Sequence, residues 1–485
     1  MNSKWSIQNP AQGLFYGFAA VVLASIFGFV LTGEYLILGV PAVLLLFYGT
    51  IADFKQIFFL LLFCIPLSTE IVLPNGFGTD LPTEPLIVGL MAVFIFYVLR
   101  YHQTLDAAFF RHPITLLLLL HISWMLIATV QSSLPFVSIK FLLAKIWYVV
   151  TFFFLAGLVL RKERDIKQVF WYIFIPLMFT VFIILIRHAP YHFTFDTVYH
   201  VLHPFYRNHV AYAAIMAVFV PFVWFARYWY KPYSKKWMLL LGALLVLLVA
   251  IQLSYTRAAY IGIFIAAGGY FMIRWRLTKL ALLIATVTTI IGLSYLSTKE
   301  RYLELAPDYE RTITHNDFGD LIQATYQLED ISTMERVYRW VAAFQMSADK
   351  PWFGFGPGNF YNFYQNYTVN SFRTYVSKNE ERSGVHCYYL MILVEQGVIG
   401  LILFIAFLFS AFVMGERIYH QTKTPAYKRL VMITLLMLLV ISSLQLINDL
   451  LETDKIGPFF FLSLAILVNV DLHNRKMNED RRIGG

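Results

Sequence analysis

Three residues have the side chains that phosphate and proton chemistry needs: Arg207 in Phe205-Tyr206-Arg207-Asn208-His209, Arg257 in Ser254-Tyr255-Thr256-Arg257-Ala258, and His386 in Ser383-Gly384-Val385-His386-Cys387-Tyr388. An arginine guanidinium presents a planar fork of donors matched to phosphate oxygens. A histidine titrates near neutral pH and accepts a proton from an attacking hydroxyl. Two such forks beside one proton acceptor suit a phosphate or diphosphate carried on a lipid. Taken singly, each residue also has a structural reading, an arginine meeting lipid headgroups or a histidine at an interface. Placement decides between the two, so the elements that position these residues come next.

Of the 485 residues, 59% are hydrophobic and 14% charged, against roughly a quarter charged in a soluble domain. Apolar runs long enough to cross a bilayer, about 20 residues each, lie near 14–32, 34–52, 55–73, 84–100, 113–131, 139–160, 167–187, 209–227, 236–254, 258–275, 279–297, 397–415, 428–447 and 456–472. The sequence therefore predicts an all-α polytopic membrane protein with about 14 transmembrane helices. The weakest spans are 34–52 and 55–73, where Asp53 and Lys55 leave only a tight turn between them. The short polar start, residues 1–13, lacks a small-residue cleavage signature, so the first span is expected to stay as a signal anchor.

The net charge of +9 is scattered between the apolar runs. That excludes the continuous basic stripe of a nucleic-acid binder. With a cytoplasmic N-terminus, the inner connections hold 23 of the 38 Lys and Arg residues, which satisfies the positive-inside rule. The short outer connections hold only Lys140, Lys145, Arg187, Arg207, Arg257 and Lys455. An even span count puts both termini in the cytoplasm and the one long loop outside. Three segments result: a membrane domain of eleven helices over 1–296, a long outer loop carrying short helices over 297–384, and C-terminal spans with a cytoplasmic tail over 385–485. Arg207, Arg257 and His386 then share one side and one depth. A charge inside or between spans is costly without a partner, which favours a functional role for Arg257.

The loop opens with a charged stretch from Glu300 to Asp330. Met334 to Lys350 has helical spacing, with Val337, Trp340, Val341 and Phe344 on one face and Glu335 near the start. Pro351 stops it, and Trp352-Phe353-Gly354-Phe355-Gly356-Pro357-Gly358-Asn359-Phe360 follows. Glycines here let backbone approach another element closely as a packed turn, or let N–H groups face an anion. No Walker or Rossmann spacing is present. The histidines at 188, 192, 200, 203 and 209 crowd one outer loop, but their spacing fits no ordered metal site. Lys140 and Lys145 share a helix face, for phosphate contact or for snorkelling to the interface. Asp449, Glu452 and Asp454 read as a solvated acidic turn or a sugar contact, and Glu395 as a helix-packing partner. Cys64 and Cys387 support neither a disulfide framework nor a zinc site.

Arg336-x3-Trp340, Pro351, Gly354, Gly356, Gly358 and Phe360, followed by His386-x3-Leu390-x2-Leu393-x3-Gly397-x2-Gly400, resemble the O-antigen ligase and polymerase superfamily of bacterial envelope enzymes. The resemblance is clearest over about 205–410 and extends to the span count and the single long periplasmic loop. It implies a glycosyltransferase of the C-type membrane fold in the bacterial inner membrane, with its site facing the periplasm. Such an enzyme moves a glycan from an undecaprenyl diphosphate carrier to an acceptor hydroxyl, without metal or cofactor. By the same resemblance His386 is the histidine that activates the acceptor, and Arg207 and Arg257 hold the diphosphate. Arg336, Gly356 and Gly358 support them. The sequence departs at Cys387, where the family commonly has Asn or Ser.

The preferred member is an O-antigen ligase acting on a lipid A core, because the loop is moderate in length and no further soluble domain is appended. A polysaccharide polymerase, whose acceptor is a growing glycan, needs the same residues, and a protein O-oligosaccharyltransferase comes next. A lipid-linked sugar transporter predicts ionisable residues within several spans and two similar halves. The sequence has neither. A non-catalytic assembly protein leaves His386 with no task.

Overall fold

The computed structural model describes residues 10–33, 37, 39–72, 78–297, 331–369 and 384–483. The charged stretch from Glu300 to Asp330 lies outside the described residues. The helices, named here in chain order, are α1 Pro10–Thr32, α2 Val40–Ala52, α3 Phe54–Cys64, α4 Thr83–Tyr101, α5 Pro113–Val130, α6 Pro135–Val159, α7 Glu163–His188, α8 His209–Ala226, α9 Lys235–Gln252, α10 Arg257–Arg274, α11 Thr278–Ser297, α12 Ile331–Asp349, α13 Tyr388–Gln421, α14 Pro425–Leu444 and α15 Gly457–Ile483. Shorter pieces are named by their residues.

Eleven helices among the described residues are long and apolar enough to cross a membrane: α1, α4 to α9, α11 and α13 to α15. The other three expected spans are also helical. Two of them, α2 and α3, are short, and α10 carries an arginine at each end. The expected span 55–73 is corrected. After α3 a single 3-10 turn ends at Leu67, and an antiparallel hairpin follows, β1 Thr69–Val72 against β2 Gly78–Leu81. Among the described residues the architecture is therefore helical with one small hairpin. Apolar composition alone cannot separate a short helix plus a strand from one long helix.

Local chemistry sets the helix starts. Asn208 accepts from the Ala211 N–H at 2.9 Å ahead of α8, and Ser234 accepts from Trp237 ahead of α9. Pro113, Pro135 and Pro425 open α5, α6 and α14, where the missing N–H costs nothing. α8, α14 and α15 are the most enclosed spans, whereas α1 and α11 expose nearly their whole length, apolar surface that a bilayer would cover. The one helix with an arginine at each end is held by small residues. Ala259, Gly262, Ala266 and Gly269 of α10 are turned inward, and Gly262 lies against Val440, Ser443 and Leu444 of α14. Small residues let helix backbones approach where lipid offers no hydrophobic driving force.

Candidate functional site

The site is organised by a break in α13. Gly397 adopts φ 71° and ψ −176° inside the helix, a region that essentially only glycine enters. Residues 388–396 form one helical piece and residues 398–421 another. Such a break frees backbone donors and acceptors, which must find partners where no water reaches. The glycine-rich turn after α12 supplies them. The Phe355 N–H donates to the Val394 carbonyl at 2.9 Å, the Gly356 N–H to the Glu395 carbonyl at 3.0 Å, and the Val398 N–H to the Pro351 carbonyl at 2.8 Å. The Trp124 indole N–H takes the Gln396 carbonyl at 2.9 Å.

This explains the glycines. A Cβ on Gly354 would strike the backbone at Val394 to Gln396, one on Gly356 would strike Ser132 and Ser138, and one on Gly358 the ring of Phe141. All three glycines have positive φ. The Asn359 amide donates to Ser132 Oγ, Ser138 Oγ and the Phe355 carbonyl, and the buried Glu395 carboxylate accepts the Phe360 N–H at 3.2 Å. The Phe355 and Gly356 N–H groups are thus spent on the helix break, the packed-turn alternative for this segment. Glu395 is the packing partner that its position suggests.

His386 stands just before the broken helix. Its φ of 57° places a non-glycine residue in the left-handed region, and Cys387 caps the helix in extended backbone. The Tyr388 N–H donates to both the Gln445 and Asn448 carbonyls, at 2.9 and 3.2 Å. From the other side buried Arg339 of α12 donates from Nη1 to the Gly384 carbonyl at 3.2 Å and lies 3.5 Å from Glu335. His386 Nδ1 faces Asp449 Oδ1 at 3.6 Å, too long for a hydrogen bond but within the reach of an ion pair. Gly384 has no side chain because a Cβ would strike the Asp449 carboxylate. Burial pushes the Cys387 thiol up to about 11, so it is neutral near pH 7 and no thiolate nucleophile.

The acidic turn is therefore more than a solvated cap. Besides Asp449, Glu452 accepts from Lys145 Nζ at 2.5 Å and from the Tyr388 hydroxyl at 2.7 Å. Asp454 accepts from Ser68 and pairs with Lys455 at 3.3 Å, and the Lys455 ammonium also donates to the Ile65 and Ser68 carbonyls at 2.8 Å. Lys145 and Lys455 are 5% exposed. Lys145 is an internal partner, which replaces the snorkelling alternative; both it and Lys455 hold the connection between α14 and α15 in place.

Arg257 is the first residue of α10, and Arg207 lies two residues before α8. The preceding Thr256 hydroxyl donates to the carbonyl of His209, the first residue of α8, at 3.2 Å. This ties the two arginine segments together. Gly262, five residues along α10 from Arg257, or about 7.5 Å of rise, packs on the end of α14 that leads into Gln445 and Asn448. Tyr206 lies 5.6 Å beneath the Lys455 ammonium. The structure so places both arginine segments and the His386 turn at one end of the bundle. Arg336 of α12 is near enough to His209 for its charge to act there.

The histidines between 188 and 209 make separate contacts. His188 pairs with the Thr194 carbonyl at 3.0 Å, and His209 stands between the rings of Phe195 and Tyr199. Among the described residues no group of three or more His, Cys, Asp or Glu could hold a metal ion. Arg339 is the site residue the sequence does not single out, and Asp449 reads there only as part of an acidic turn, with nothing to link it to His386. Arg339 lies one turn from Arg336 on the same helix, but a second arginine three residues on reads as solvated. Asp449 is 63 residues from His386 in sequence, and only folding relates them.

This architecture is that of a polytopic helical membrane protein with a histidine turn and two arginine segments gathered at one end, beside a helix broken by an incoming loop. Residues 242–405 match the family described as O-antigen ligase. The match covers about a third of the 485-residue chain and supports its resemblance to the O-antigen ligase and polymerase superfamily. The match runs from α9 into α13 and takes in Arg257, Arg336, Gly356, Gly358, His386 and the break at Gly397. Arg207 and Asp449 lie outside it. No curated protein matches the chain.

Proposed function

We propose that the chain is a membrane glycosyltransferase that moves a glycan from a polyprenyl diphosphate, of undecaprenyl type, to an acceptor hydroxyl, most specifically an O-antigen ligase with a lipid A core as acceptor. The observation that carries this reading is the His386 turn, pinned by Arg339 and faced by Asp449, within a segment that matches the O-antigen ligase family.

In this reaction the acceptor oxygen attacks the anomeric carbon, the bond from that carbon to the diphosphate oxygen breaks, and the hydroxyl proton passes to His386. With Nδ1 directed at Asp449, Nε2 is the nitrogen left to take it. The carrier diphosphate is already a good leaving group. The protein's task is to neutralise its charge, which Arg207 and Arg257 do, and to hold the reactants in register. No metal is needed in this scheme. A positioned base contributes typically about a hundred- to ten-thousand-fold. The donor tail lies between helices, and the site faces the periplasm from the inner membrane, with both termini in the cytoplasm.

The test is His386→Ala in the native host, with surface glycans displayed by gel electrophoresis. Loss of all capped lipopolysaccharide, with long carrier-linked chains accumulating, is the expected result. Acceptor carrying a single repeat instead assigns the chain as a polymerase with the same residues. Unchanged glycans would overturn the catalytic assignment. Arg257→Glu should abolish transfer, and Arg257→Lys should keep only part of it, because a point charge replaces a bidentate fork.

A further inference from the structure

A second site lies at the opposite end of the helices. α15 starts at Gly457 beside the acidic turn and reaches His473 sixteen residues later, about 24 Å away. There a cavity of about 170 Å³ opens between the short helix Ala107–Phe110, the end of α6 and α15. Its inner wall is apolar, with Phe109, Phe110 and Phe154 in mutual ring contact, Phe110 and Phe154 stacked at 5.4 Å. Its rim is basic, formed by Arg161, His473 and Lys476.

The wall is built rather than accidental. Gly157 has no room for a Cβ because Phe109 fills that space. Asn469 donates to the Gly157 and Leu160 carbonyls at 3.0 and 2.9 Å, which fixes the end of α6 against α15. His473 is stacked on Tyr427 with centroids 4.5 Å apart. Asp106 is the one acidic residue in the lining, and its carboxylate is in use. One oxygen accepts the Ala108 N–H at 3.0 Å and the other pairs with Lys476 at 3.1 Å. The Lys476 side chain is 68% exposed, so water screens that pair and the ammonium can turn to a new anion at little cost. Arg161 is exposed and has no ion-pair partner among the described residues.

We propose that this cavity binds a phosphodiester monoanion carried as the headgroup of an anionic phospholipid, with Arg161 and Lys476 on the phosphate and the phenylalanine wall against the first carbons of the acyl chains. An apolar wall and a basic rim at the ends of apolar helices match a molecule whose charge and hydrocarbon meet at that depth. The volume is well under the roughly 300–1,000 Å³ of a pocket that encloses a whole drug-sized ligand. Only the headgroup and the top of the chains enter, and the remaining chain stays in the bilayer. The site is separate from the His386 turn and stands whatever that turn does.

The experiment uses the full chain in nanodiscs of phosphatidylcholine, with a trace of phosphatidylglycerol bearing a photoreactive group near the top of one chain. Cross-links are expected in peptides covering 106–110, 157–161 and 469–476. Unlabelled phosphatidylglycerol should compete, while added phosphatidylcholine should not. The double variant Arg161→Gln, Lys476→Gln should lower labelling of these peptides at least tenfold. Labelling spread evenly over all helix ends, or equal competition by phosphatidylcholine, would overturn the proposal. Displacement by millimolar inorganic phosphate alone would overturn the lipid assignment in favour of the free ion. The cross-link map is read on the unmodified protein, so a double variant that fails to fold leaves the test intact.

Discussion

Asp449 and His386 approach to 3.6 Å, carboxylate to Nδ1, beside Gly384, where a Cβ would strike the same carboxylate. A carboxylate in that position favours the neutral tautomer with its proton on Nδ1, which leaves Nε2 to accept a proton. The separation exceeds a hydrogen bond, and catalytic contacts of this kind commonly tighten only with substrate bound. In the proposed reaction Asp449 would act through His386, as a positioning residue.

Asp449→Asn keeps the shape and removes the charge. Transfer by membranes carrying this variant is expected to fall about ten- to a thousand-fold, because the charge that orients His386 is gone. In the His386→Ala background the same change should add almost nothing, since residues acting as a unit are not additive. Unchanged transfer in the single variant, or an equal loss in both backgrounds, would leave Asp449 with a packing role only.

Gly397→Ala tests the helix break. The substitution puts a Cβ into the backbone at Trp352 and forces a residue with a side chain into φ 71°, ψ −176°. The conformational cost alone is about 1–3 kcal/mol, and the collision adds to it. Lower yield of monodisperse protein and a drop in melting temperature of several degrees are expected. Gly242→Ala, at a position with nothing within 4 Å of the added carbon, should leave both unchanged. Equal behaviour of the two variants would mean that the loop does not pack into the break.

Much of this was legible in the chain because it rests on local chemistry. Every expected span is helical at least in part, since length and apolarity are properties of a window. The helix from Met334 to Lys350 is found as α12, Ile331–Asp349, because its apolar period and Pro351 mark it. The break at Gly397 was not legible. The expected span starts at 397, so Tyr388 to Gln396 fall ahead of it, and a glycine at that junction does not announce a break until the segment that fills it is known. Lys145, Glu452 and Asp449 were misread for the same reason. A charge at a span end looks solvated unless its partner, more than 60 residues away in each case, is brought beside it. Ser68 and the hairpin behind Lys455 likewise hide in a run whose composition fits a helix.

That hairpin carries the last prediction. Asp80 on β2 is pushed up to about 7 from an ordinary 3.8, first by burial and then by the charges of Asp454 and Glu84, with Glu70 adding to them and Lys455 opposing them. An acid that holds its proton more tightly in the folded state than in the unfolded state stabilises the fold while protonated. Between about pH 4 and pH 7 the native state binds more protons than the unfolded one, so this contribution declines as pH rises, by at most about 1.4 kcal/mol per pH unit. Above pH 7 it is gone, and the carboxylate stands charged beside Asp454 and Glu84. Asp80→Asn removes the titration and keeps the shape. Thermal unfolding of the purified protein from pH 5 to pH 8 should then show a smaller fall in melting temperature for the variant, with the variant the more stable of the two at pH 8 by roughly a few degrees. Parallel curves for the two proteins would show that Asp80 is solvated, and that the hairpin is not docked on Asp454 and Lys455.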